Sequence, residues 1–143
     1  MQISTRNQLS GKVEAIHHGA VNDEIVISVS PSLQIVAIIT EGSTKSLHLA
    51  EGSDVVALIK ASSIVLVTGS QDLVFSARNQ LSGAVVAAEK GAVNAEVVID
   101  AGGGVQISAI ITNKSFDTLG IKAGATVTAI FKASSVIVAA RKA

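Results

Sequence analysis

Two short segments of this chain combine cationic and hydroxyl side chains at a spacing that suits a small oxyanion. They are Ser4 with Arg6, and Lys60 with Ser62 across an Ala61 corner. Each occurs a second time, as Ser76 with Arg78 and as Lys132, Ala133 and Ser134. A tetrahedral dianion presents four acceptor oxygens and no donor. It needs convergent N–H and O–H donors, and one or two positive charges to offset its desolvation. The Ala61-Ser62 corner can add backbone N–H groups, as nest-like turns do. A second tight turn, Gly19-Ala20-Val21-Asn22, with its copy Gly91-Ala92-Val93-Asn94, offers further N–H groups and the asparagine amide. Each motif alone also has a structural explanation: Gly19 makes a turn, and Lys60 is a solvated charge.

Other chemistries find less support. There is no cysteine, which excludes disulfides and thiolate ligands. His17 and His18 are adjacent, so on a strand they point to opposite faces and cannot share a metal ion. His48 stands alone, and the second copy has Glu89, Lys90 and Gly120 at the three histidine positions. A Ser–His–acid triad could therefore exist in only one copy. Acidic residues recur only at Glu24 and Glu96, so the copies share no pair of carboxylates. The chain reads as a non-enzyme with no cofactor and no metal-cation site. With 11 basic and 11 acidic residues it has no long-range field for DNA, RNA or an anionic membrane. It also lacks Trp and Tyr, the stacking platforms for single-stranded nucleic acid. No HTH-sized segment and no Walker motif is evident. The N-terminus lacks a basic-then-apolar secretory layout, and no apolar run approaches the roughly 20 residues that cross a bilayer. These features point to a cytoplasmic protein.

The elements that must position these residues come as a repeat. Residues 4–67 and 76–139 align without a gap, every pair being 72 positions apart, and 31 of 64 positions are identical. That is a duplication. The expected organisation is a first module over 1–67, a linker over 68–75 and a second module over 76–143. Core positions drift conservatively (Leu58 to Ile130, Ile64 to Val136), as packing allows. Polar residues with no evident core role stay identical, among them Arg6/Arg78, Asn22/Asn94, Lys60/Lys132 and Ser62/Ser134. Within each copy the apolar period is mostly two: Leu9, Gly11, Val13, Ala15, then Ile25, Ile27, Val29, then Leu33, Ile35, Ala37, Ile39. Pro31 in one copy and Gly102-Gly103-Gly104 in the other mark the second turn. Residues 43–49 suit a short helix capped by Ser43, and 55–60 and 63–67 suit two more strands. Three strands, a short helix and two strands form an all-β, five-stranded, OB-like barrel, here two in tandem. A barrel of this size buries only about 60% of its unfolded surface, and Val26, Val36 and Ile38 lie on alternate faces, so an oligomer is expected.

These motifs resemble the molbindin family of Mop-type (TOBE) molybdate-binding modules. The segments that carry the likeness are 4–11, 19–22, Ile38-Ile39-Thr40 with Ser43, and 59–63, together with 76–83, 91–94, Ile110-Ile111-Thr112 and 131–135. The resemblance implies a tandem-module carrier or buffer of molybdate or tungstate, assembled as a homotrimer with the anion held between modules. It also implies two kinds of site. The first uses Ser4, Arg6, Lys60, Ala61 and Ser62, with Ser76, Arg78, Lys132, Ala133 and Ser134 in the second copy. There Lys60 and Arg6 compensate charge while Ser4 and Ser62 donate hydrogen bonds. The second site uses the turns 19–22 and 91–94 near the trimer axis. Ala77 replaces Thr5, and the Gly42/Lys114 and Lys45/Asp117 differences leave open whether the halves bind equally. The alternative is a structural or partner-binding adaptor without a small-molecule ligand.

Overall fold

The computed structural model describes residues 2–69 and 72–142. Strands β1 (Asn7–His18), β2 (Asn22–Ser30) and β3 (Leu33–Thr40) precede helix α1 (Glu41–Ser46), followed by β4 (Asp54–Ile59), a 3-10 turn over Ala61–Ser63 and β5 (Val65–Val67). The second copy repeats the order: β6 (Asn79–Lys90), β7 (Asn94–Gly102), β8 (Val105–Thr112), α2 (Asn113–Leu119), β9 (Thr126–Phe131), a 3-10 turn over Ala133–Ser135 and β10 (Val136–Ala140). The expected all-β architecture of two curled five-stranded sheets, each with a short helix, is what forms. Branched Val and Ile set it up, because their side chains fit a pleated surface and alternate between core and exterior. Along β2, Ile25 and Ile27 are fully buried, whereas Val26 between them is half-buried.

The connectivity departs from the repeat. The sheet orders are β10-β4-β1-β2-β3 and β5-β9-β6-β7-β8, all pairs antiparallel. The compact units are therefore Met1–Ile59 with Lys132–Ala143 (the first unit) and Lys60–Phe131 (the second). They are not the modules expected over 1–67 and 76–143, because each copy gives its last strand to the other copy's sheet. After Ile59 the chain tightens through a turn closed by the Ser63 N–H on the Lys60 carbonyl (2.9 Å), and β5 then pairs with β9, Val65 facing Ile130. Val136 correspondingly faces Ile59. Of the linker expected at 68–75, Ser70 and Gln71 lie outside the described residues, and the rest has no regular secondary structure.

Two further details shape the units. A Cβ on Gly11 would lie 2.5 Å from the Ser28 carbonyl oxygen, and one on Gly83 would overlap that of Asp100. Only glycine lets β1 and β6 pass so near their neighbours, and each strand carries a register shift just beyond, at Val13/Ala15 and Val85/Ala87. The helices begin earlier than expected. Thr40, not Ser43, is the cap of α1, its hydroxyl accepting from the Ser43 N–H (3.1 Å), and Thr112 does the same for α2. No helix among the described residues is long and apolar enough to cross a membrane.

Candidate functional site

The Ser-x-Arg part of the first group of candidate residues lies where β1 begins, beside the end of β4. Asn7 is buried, and it pairs with Ile59 as the last rung of that ladder. Its side-chain amide donates to the Ile59 carbonyl at 3.1 Å, and the Thr5 hydroxyl donates to the same oxygen at 2.9 Å. Thr5 thus spends its hydroxyl proton on the backbone, a bond that Ala77 cannot make in the second copy. The Gln8 amide donates to the carbonyls of Ile3 (3.3 Å) and Thr5 (3.0 Å), and that of Gln80 to Phe75 (3.1 Å) and Ala77 (2.9 Å). These two glutamines lash the Ser-x-Arg segments in place. The repeat keeps them identical, which was the available signal of their positioning role.

Arg6 immediately precedes the Asn7–Ile59 rung and Lys60 immediately follows it. Arg78 and Lys132 flank the Asn79–Phe131 rung in the same way. Ser4, Arg6, Lys60 and Ser62 are exposed, as are Ser76, Arg78, Lys132 and Ser134. Ala61 and Ala133 are buried, so they can serve a ligand only through their backbone. The turn over Ala61–Ser63 packs against β8 in the second unit, and the turn over Ala133–Ser135 against β3 in the first.

The second group forms tight turns, but fewer of its N–H groups are available than expected. The Gly19 N–H donates to the Asn22 carbonyl (2.9 Å) and the Gly91 N–H to that of Asn94 (2.7 Å). The carbonyls of Val21 and Val93 accept from the first residues of the helices, Glu41 (3.0 Å) and Asn113 (3.1 Å). Outward donors from the turns are left to Ala20, Val21 and the Asn22 amide, and to their copies. In the first unit the turn rests on Asp23, which is buried. Its Oδ1 lies 3.2 Å from His18 Nδ1 and 3.3 Å from the Gly19 N–H. Its Oδ2 falls short of hydrogen-bond geometry with any described residue, yet the Thr44 hydroxyl is near enough to be the largest influence on the carboxyl. Thr44, with lesser help from His18 and the Gly19 N–H, outweighs burial and holds the Asp23 pKa below its ordinary value. The second unit has Ala95 there, so this feature is not duplicated.

A groove of about 560 Å³ in the second unit joins the two groups. Ser62 from the 3-10 turn and Asn94 from the tight turn both line it, with Thr112, Lys114, Ser115 and an apolar wall that includes Ile110 and Leu119. Thr112 and Ser115 were not among the predicted site residues, although both recur unchanged from Thr40 and Ser43. The Thr112 hydroxyl donates to Ser115 Oγ (2.9 Å) while accepting the Ser115 N–H (3.1 Å), which leaves the Ser115 hydroxyl proton for a ligand. In the first unit, Asn22 pairs with Thr40 just as Asn94 pairs with Thr112. The groove offers hydroxyl and amide donors with one cationic residue, Lys114, in its lining, and no cluster of three or more His, Cys, Asp or Glu that could hold a metal cation exists among the described residues.

Comparison with known proteins accords with this chemistry. The TOBE domain model matches residues 3–66 and again 76–138. The molybdenum-pterin-binding protein MopA of Rhodobacter capsulatus is 42% identical over 139 residues, covering 97% of this chain and 52% of its own length. The molybdenum transport protein ModE of Herbaspirillum seropedicae is 40% identical over 142 residues, covering 99% of this chain and 53% of its own length. This chain thus spans about half the length of those relatives. A crystal structure of the cytoplasmic molybdate-binding protein ModG with molybdate bound matches with a TM-score of 0.94 at 42% identity, covering 99% of this chain and 100% of that one.

Proposed function

The chain belongs to the TOBE-domain family, with two copies of the domain, and from that premise we propose that it binds molybdate, or tungstate, as an intact oxyanion for intracellular storage or buffering. The observation that carries this reading is the end-to-end likeness to a molybdate-bound protein. In each copy the Ser-x-Arg segment precedes and the Lys-Ala-Ser turn follows one paired rung, Asn7–Ile59 or Asn79–Phe131, which supports assigning both segments to oxyanion binding. Arg6 with Lys60, and Arg78 with Lys132, compensate the dianion. Ser4, Ser62, Ser76 and Ser134 donate hydrogen bonds, and the Ala61 and Ala133 corners add backbone N–H groups. The turns 19–22 and 91–94 form the second kind of site. The repeats 1–67 and 76–143, joined through 68–75, are the units of duplication, although they fold by exchanging strands.

In this reading the protein breaks no bond and works in the cytoplasm as a homotrimer. Exposed valines at matched positions, Val21 (72%) and Val93 (73%), with Val65 (60%) and Ile137 (59%), support an assembly that covers them. Balanced charge argues against a nucleic-acid partner. Calorimetric titration of the whole chain with molybdate, tungstate and sulfate tests the proposal. Several molybdate ions per oligomer with weaker sulfate binding is the expected result. Absence of binding to all three would leave the adaptor role instead.

A further inference from the structure

The two units present unequal charge to an anion. In the second unit, Lys114 on α2 is the cation among the residues lining the groove with Ser62, Asn94, Thr112 and Ser115. Its acidic neighbour on the helix, Asp117, is already paired with Lys90 at 3.0 Å, so Lys114 adds a net positive charge to the groove. In the first unit the matching position is Gly42. Glu41 beside it is paired with Lys45 at 3.0 Å, which leaves no surplus cation on α1. The buried Asp23 carboxylate follows Asn22, where the second unit has Ala95 after Asn94. The remaining donors match between the units: Ser134 for Ser62, Asn22 for Asn94, Thr40 for Thr112 and Ser43 for Ser115. The difference between the halves is therefore one of charge on a common set of donors.

We infer that Lys114 makes the groove of the second unit the tighter of two unequal classes of tetrahedral-dianion site, the first unit, with Gly42, providing the weaker class. This rests on the molybdate-binding reading and adds to it a residue that ranks the two halves. An ammonium facing a dianion through partly solvated surroundings changes affinity about tenfold. The first unit has room for the same charge, since a Cβ on Gly42 meets nothing nearer than Thr40 Oγ1 at 4.0 Å. Replacing Lys114 by Ala and Gly42 by Lys both keep or raise helix propensity, so both variants should fold.

The test is titration of the whole chain with molybdate, comparing the native protein, Lys114→Ala, Gly42→Lys and the double variant, with circular dichroism and light scattering as controls of fold and assembly. The groove sites of the native protein should fall into two affinity classes, told apart from any sites at the glycine turns by their response to the Lys114 and Gly42 variants. Lys114→Ala should weaken the tighter class about tenfold without changing the number of ions bound, and Gly42→Lys should strengthen the weaker class by a similar factor. The double variant should exchange their order. A single class in the native protein, or Lys114→Ala leaving both classes unmoved or lowering both alike, would overturn the inference while the binding function stands. A native protein that binds no molybdate would overturn the function, and the ranking with it.

Discussion

Beneath the Gly19–Asn22 turn the first unit buries a carboxylate with a histidine and a threonine around it. Beneath the Gly91–Asn94 turn the second unit buries only the methyl group of Ala95. His18 and Thr44 have changed together with Asp23, into Lys90 and Phe116. A polar cluster in one unit and the buried Ala95 in the other thus accompany turns closed in the same way, by the glycine N–H on the asparagine carbonyl. The helix exits differ as well. α2 ends on Gly120 at φ 63°, the left-handed conformation that glycine tolerates, whereas the matching residue after α1 is His48, at φ 52°. The backbone of the fold was kept through duplication while its supports diverged. The residues proposed to bind the oxyanion changed least, with the difference between Lys114 and Gly42 the main exception.

This comparison can be broken most forcefully at the two lysines of the 3-10 turns. Lys60→Met retains much of the aliphatic stem but removes the charge, and a lost charge-assisted hydrogen bond costs about 1.5–3 kcal/mol, roughly ten- to hundredfold in affinity. Because Ser62 lines the groove of Lys114, Lys60→Met should weaken the class of molybdate site that Lys114→Ala weakens, and Lys132→Met should weaken the other. Assembly should persist in both. Unchanged affinity with impaired assembly would make these lysines structural.

The next effect is acid sensitivity confined to the first unit. The folded pKa of Asp23 lies below its ordinary 3.8, so its contribution to stability is complete above that value. The contribution is lost as pH falls from there through the depressed folded value. Amide signals of β1 and β2 followed by NMR during acid titration should collapse before those of β6 and β7. In Asp23→Asn that difference should vanish. Simultaneous loss in the native protein would show that the buried carboxylate does not set the acid limit.

The smallest effect concerns His48. A non-glycine residue in the left-handed region costs roughly 1 kcal/mol, so His48→Gly should raise Tm by a few degrees, and Gly120→His should lower it by a similar amount. Calorimetry decides this, and equal Tm values for native protein and His48→Gly would mean that the surroundings of His48 already offset the strain.

Sequence by itself determined the repeat, the strands, the turns and the cation–hydroxyl pairs, because each is written in short-range pattern. Alternation of Ile25 and Ile27 with polar or half-buried neighbours is enough to place a strand, and identity of Arg6 with Arg78 is enough to single out a residue no core requires. Only the tertiary structure decided which copy owns the last strand of each sheet. Val65-Leu66-Val67 and Ile137-Val138-Ala139 are equivalent apolar strands that follow identical Lys-Ala-Ser-Ser turns, so local pattern does not say which pairs with β4 and which with β9. The same exchange puts Ser62 in one groove with Asn94, Thr112 and Lys114, residues of the other copy that no local pattern could have placed beside it. The Asp23 cluster was equally hidden, since His18 and Thr44 lie on separate elements and meet the carboxylate only once β1, β2 and α1 have packed.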